Sequence, residues 1–89
     1  MREIIKKAYS KYFEEVLSGE KKFEIRLNDF DADIGDIIIL KEINDKREFT
    51  GREIKKKITY VSKTKNVDWW SEEDIKEKGF IVMSLANIK

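Results

Sequence analysis

Apolar residues alternate with charged ones along most of this chain, and the period of that alternation changes from segment to segment. Ile4-Ile5, set between charged neighbours, predicts a short opening strand. Tyr12, Phe13, Val16 and Leu17 then recur at helical spacing behind Ser10, a candidate N-cap, and Gly19 supplies a C-terminal stop. From Lys21 the period drops to two. Phe23, Ile25 and Leu27 fall on one side and Lys22, Glu24 and Arg26 on the other, which predicts a strand with an outward charged face. The acidic loop from Asn28 to Gly35 leads into Ile37-Ile38-Ile39-Leu40, a β-branched run too short for a helix and apolar on both faces, as in a central or barrel strand.

The second half continues in the same manner. Asn44-Asp45-Lys46-Arg47 reads as a turn, and a long strand from about Glu48 to Val61 returns from it with Ile54, Ile58 and Tyr60 on one side. Gly51 sits where a bulge would let that strand bend. After a polar link, Asp68-Trp69-Trp70 precedes Ser71, a candidate cap for a short second helix with Glu72, Glu73 and Asp74 in its first turn. Gly79 ends that helix, and the run from Phe80 to Leu85 predicts a closing strand buried on both faces. The order β-α-β-β-β-α-β, with Gly35 freeing the turn before the central strand, predicts an α+β fold: a small barrel-like sheet of about five strands with two short helices at its ends.

Composition narrows what such a domain can do. Eighty-nine residues make a single domain, spanning 1–89, with one core, and a chain this short buries only roughly 60 to 65% of its unfolded surface. With no Cys and no His there is no disulfide, thiolate nucleophile, zinc finger, Ser-His relay or histidine base. What remains for chemistry is carboxylates, lysines, hydroxyls and tyrosines, or a metal held by oxygen ligands alone; no particular metal site and no cofactor is expected. No apolar run approaches the roughly 18 residues of a membrane span, and MREIIKKAYS lacks the features of a signal peptide, so a cytoplasmic protein without a membrane partner is expected. The 19 Lys plus Arg against 18 Asp plus Glu leave a net charge of +1, so the arrangement of charge matters more than its total. Lys55-Lys56-Lys57 with Lys63 and Lys65 form a basic stretch, and Asp29, Asp31, Asp33 and Asp36 an acidic one.

Lys21, Glu24 and Arg26 are the first candidate site, because they converge where a helix hands over to a strand. A carboxylate there can accept from the exocyclic amine of a base such as cytosine, and an arginine can grip a phosphate or carbonyl with its planar fork. The competing reading is a surface ion pair worth about 0 to 1 kcal/mol, and spacing alone favours it. Trp69 and Trp70 are adjacent and cannot both face one core if extended, so base stacking and packing under the second helix both stand. Lys55 and Lys57, opposite Ile54 and Ile58, are placed to track a phosphate backbone, whereas Tyr60 is expected in the core. Ser62 and Thr64 have no visible base partner.

Four runs in register, YFEEVLSGEKKFEIRLND, DIGDIIILKE, EFTGREIKKKITYV and KGFIVMSLA, resemble the ASCH family of PUA-like β-barrels, specifically its short stand-alone members, over roughly residues 9 to 85. The resemblance rests most on the Gly-x-Lys-x-x-Glu-x-Arg pattern of Gly19, Lys21, Glu24 and Arg26, which such proteins place in the cleft between barrel and helix. It implies a module that binds RNA or a modified nucleoside in that cleft. One branch of the family hydrolyses N-acetylated cytidine with a Lys, a Thr and a Glu. The alternative function is therefore a metal-independent amidohydrolase using Lys21 and an acid from Glu24 or the second helix, although the branch's threonine falls at Glu24 and the histidine and proline of close relatives are missing near the start. A third class is an interaction module; the expected state is a monomer or weak homodimer.

Overall fold

The computed structural model describes residues 1–63 and 73–88. Along them run β1 (Glu3–Tyr9), α1 (Ser10–Leu17), β2 (Phe23–Leu27), β3 (Ile37–Ile43), β4 (Phe49–Lys63), α2 (Glu73–Glu77) and β5 (Phe80–Asn87), in the expected order. The strands form one α+β sheet ordered β1-β3-β4-β5-β2, in which β1 runs parallel to β3 and every other pair is antiparallel. β1 and β2 are its edges and share no ladder among the described residues, so the expected barrel is a curled sheet left open along one seam.

Ile37 to Leu40 lie in β3, an interior strand between β1 and β4, and all four are buried. Ile38 and Leu40 turn inward onto Phe13 and Val16 of α1, Ile58 of β4 and Ile81, Met83 and Leu85 of β5. Ile37 and Ile39 face the other way, paired with Lys57 and Lys55, whose aliphatic stems are suited to cover apolar surface while their ammonium groups stay wet. Gly35, at φ 98°, turns the chain into β3, and Asp36 behind it accepts from the backbone N–H of Arg2 at 2.9 Å, the backbone N–H of Asp33 at 2.9 Å and Arg2 Nε at 3.1 Å. Those backbone bonds, helped by the Arg2 charge, hold the Asp36 carboxyl below its ordinary range.

Four expectations are corrected. Ser10 does not cap α1: the strand runs into the helix without a loop, so the N-cap geometry falls on Tyr9, and Ser10 Oγ donates instead to Ile43 O at 3.3 Å. Only Phe13 and Val16, one helical turn apart, are buried, while Tyr12 and Leu17 are exposed. In β4 the register slips between Ile58 and Tyr60, so Thr59 is an extra residue. That bulge flips the alternation, turning Tyr60 out to 59% exposure while Val61 packs on the core. β5 is buried on one face only, with Ile81, Met83 and Leu85 inward. The bulge expected at Gly51 is present as an irregularity between Lys41 and Ile43 on β3 and their β4 partners, with Gly51 at φ 95°.

That irregularity creates an ion-pair network. Glu42, 3% exposed, accepts from Thr50 Oγ1 at 2.5 Å and from Arg52 Nε and Nη2, both at 2.8 Å. Arg52 also donates to Glu14 of α1 and lies 5.0 Å over the Phe13 ring, so one side chain fastens the helix to β3 and β4. The hydrogen bonds from Arg52, then Thr50, lower the Glu42 carboxyl from 4.5 to about 2, and the same contact raises Arg52.

Two predictions follow from the register and the network. Ile58→Ala should lower stability by about 2 to 5 kcal/mol, and Tyr60→Ala by roughly 0.5 kcal/mol or less, in urea titrations. A costly Tyr60→Ala would restore the unbulged register. Because Glu42 has a lower pKa folded than unfolded, its contribution is complete above about pH 4.5 and fades as pH falls toward 2. Glu42→Gln should therefore lower the urea midpoint at pH 7 and make its decline between pH 5 and 2 shallower than in the unmodified protein; parallel declines would deny Glu42 that role.

Candidate functional site

Gly19, at φ 87°, ends α1 in a left-handed turn that Gly19 N–H to Val16 O (3.1 Å) and Lys21 N–H to Glu15 O (3.0 Å) close. The chain leaves this turn beside β5, where Leu85 N–H donates to Lys22 O at 2.9 Å and starts the β2–β5 ladder. That register decides which face of β2 looks inward. Glu24 pairs with Met83 and Arg26 with Ile81, both wholly buried, and directly opposed residues share a face. The charged face of β2 therefore points into the fold, and Phe23, Ile25 and Leu27 point out, with Ile25 at 54% exposure. This reverses the outward charged face expected from the period-two pattern: alternation specifies two faces, and only pairing with β5 specifies which is inside.

Glu24 is 4% exposed and bounded by cations. Its Oε2 accepts from Arg26 Nε at 2.7 Å, and its Oε1 faces Lys21 Nζ at 3.8 Å. Arg26 Nη2 reaches across the seam to donate to Lys7 O of β1 at 2.7 Å, so a single guanidinium joins the two sheet edges. Beside this bridge lies a cavity of about 290 Å³ lined by Lys7, Tyr9, Tyr12, Lys21, Glu24 and Arg26. A shallower hollow of about 400 Å³ lies next to it, walled by Tyr12, Lys21 and Phe23 with Glu15 and Glu20. Lys21 stands between the two, 5.3 Å from the Tyr12 ring centroid and 5.5 Å from that of Phe23. The site thus combines a buried acceptor, two cations and exposed aromatic faces.

A family model described as a domain of unknown function, DUF3850, matches residues 5–85. The chain belongs to this family. Among solved structures, the DUF3850 chain is similar to the crystal structure of hypothetical protein PH0355, at 20% identity and a TM-score of 0.70, over 99% of this chain and 100% of that one. That likeness is one of fold. No curated protein matches the chain.

Of the candidate residues, the DUF3850 fold brings Lys21, Glu24 and Arg26 together. Lys55 and Lys57 lie on the outer face of β4, paired with Ile39 and Ile37, away from that inward-facing cluster. Trp69, Trp70, Thr64, Ser71 and Glu72 lie outside the described residues, and Glu73 opens α2 as an exposed residue. No helix among the described residues is long and apolar enough to cross a membrane. Sequence reasoning missed Tyr9, Tyr12 and Phe23 as the aromatic rim. Their signal was weak: Tyr12 shares the helical spacing of the core residues, and Phe23 shares the parity of an apolar face.

A buried ion pair costs most when only one partner is removed. Arg26→Ala should therefore destabilise the DUF3850 fold by about 3 to 5 kcal/mol, and adding Glu24→Ala should recover part of the loss in a denaturant-based double-mutant cycle. Strictly additive losses would mean the pair is not coupled.

Proposed function

We propose that this DUF3850 protein is a PUA-like module of the ASCH type that binds a nucleotide or RNA in the cytoplasm, taking a base in the seam between β1, β2 and α1. The observation that carries the reading is the buried Glu24 carboxylate held between Lys21 and Arg26 beside an open cavity. A carboxylate so placed recognises the amine edge of cytosine or adenine, and Arg26 has donors left for a carbonyl. Tyr12 or Tyr9 offers a ring on which a base stacks, worth about 1 to 3 kcal/mol. At about 290 Å³ the cavity falls at the small end of the ~300 to 1,000 Å³ typical of ligand sites, which suits one base rather than a larger group. The Gly19, Lys21, Glu24, Arg26 pattern supports the same reading through the family resemblance.

The test is an NMR titration of isotope-labelled protein with cytidine, N-acetylated cytidine and a short single-stranded RNA. Amide shifts should cluster at Tyr12, Lys21, Glu24 and Arg26, and Glu24→Gln should weaken binding about tenfold by losing one base-edge contact. Unchanged affinity in that variant would overturn the assignment, and acetate released from N-acetylated cytidine would replace binding with hydrolysis.

A further inference from the structure

The alternation that turns Ile54 and Ile58 to the inner face of β4 places Lys56 between them on the same face. A lysine at a core-facing position needs a reason, because an apolar residue there would extend the core. Lys56 is half-buried and pairs with Ile38 of β3 and Asn87 of β5, and its Nζ donates to Asn87 Oδ1 at 2.5 Å. It does not meet a carboxylate within ion-pair distance among the described residues, and neither does Lys22. Both line a cavity of about 270 Å³ at the C-terminal end of α1, together with Lys21, Gly19 and Asn87. Three lysines therefore line one partly open space, beside an amide that carries N–H donors. The last carbonyls of α1 do not account for them. Glu14, Glu15 and Val16 already accept from the backbone N–H groups of Ser18, Lys21 and Gly19.

Lys21 lines this cavity and also the one beside Glu24, so the two spaces meet at one residue. We infer that the cavity bordered by Lys21, Lys22 and Lys56 is a phosphate subsite, and that the ligand is a nucleoside 5′-monophosphate with its base at Glu24 and Arg26. The inference rests on the base-binding reading above. A terminal phosphate ester carries a charge of about −1.5 to −2 near neutral pH and accepts through three oxygens, which matches several lysines better than a single carboxylate would. The cavity is bounded by α1, β4 and β5, which suits a terminal phosphate rather than a run of nucleic-acid backbone.

Labelled protein is titrated separately with cytidine, cytidine 5′-monophosphate, inorganic phosphate, and a short RNA bearing either a 5′-phosphate or a 5′-hydroxyl. The monophosphate should bind about tenfold more tightly than cytidine at low salt, the advantage expected of a charge-assisted contact, and lose that advantage as salt rises. Lys22→Gln and Lys56→Gln should each reduce the advantage and leave cytidine affinity unchanged. Equal binding of cytidine and its monophosphate, or an advantage that survives both substitutions, would overturn the subsite. A preference confined to the 5′-phosphorylated RNA, with none for the mononucleotide, would overturn the mononucleotide as ligand. Failure of cytidine to bind would sink the base pocket instead. Inorganic phosphate then decides the subsite by itself: saturable shifts at Lys22, Lys56 and Asn87 uphold it, and their absence removes it.

Discussion

Burying the Glu24 carboxylate inside a curled sheet requires cations beside it, and that requirement fixes how the two edges of the sheet meet. An unpaired charge in a small core is untenable, so Arg26 and Lys21 must accompany it. Arg26 has more donors than Glu24 can use, and one of them takes the Lys7 carbonyl on the opposite edge. A conventional barrel would close this seam with a β1–β2 ladder. Here a guanidinium spans it, and the space that a ladder would have filled remains as a cavity. The seam and the candidate site are thus one feature.

The helix that forms the other wall is held by a second buried carboxylate. Glu42 gathers Arg52 and Thr50, Arg52 in turn holds Glu14 and covers Phe13, and Ser10 donates to Ile43 O, so the start and middle of α1 are anchored to β3 and β4. Its far end is anchored by the Gly19 turn and the bond from Leu85 to Lys22. With both ends fixed, Tyr12 and Lys21 are presented at defined positions beside β2. These two ion-pair clusters, with that of Arg2 and Asp36 as a third among the described residues, supply fastening that apolar burial alone gives sparingly at this size.

The outward apolar face of β2 follows from the same geometry. Once Glu24 and Arg26 point in, Phe23, Ile25 and Leu27 must point out, next to Ser84, Val82 and Phe80 of β5. Phe23 becomes part of the aromatic rim around Lys21 rather than part of the core. What reads locally as an amphipathic strand with a wet charged face is, in the fold, a strand whose charged face is turned inward to the seam.

The order of the elements, the stop at Gly19, the left-handed turn at Gly35, the bend at Gly51 and the burial of Ile37 to Leu40 were legible in the sequence, because each depends on local backbone freedom or on a run of residues that tolerates only one environment. The grouping of Lys21, Glu24 and Arg26 was legible too, since it needs only a short strand after a turn. The inward direction of Glu24, the Thr59 bulge that exposes Tyr60 and the anchoring role of Ser10 were decided by pairing between strands distant in the chain. Alternation along a strand specifies that there are two faces. Only the neighbouring strand, with its own register and its own bulges, specifies which of them is buried.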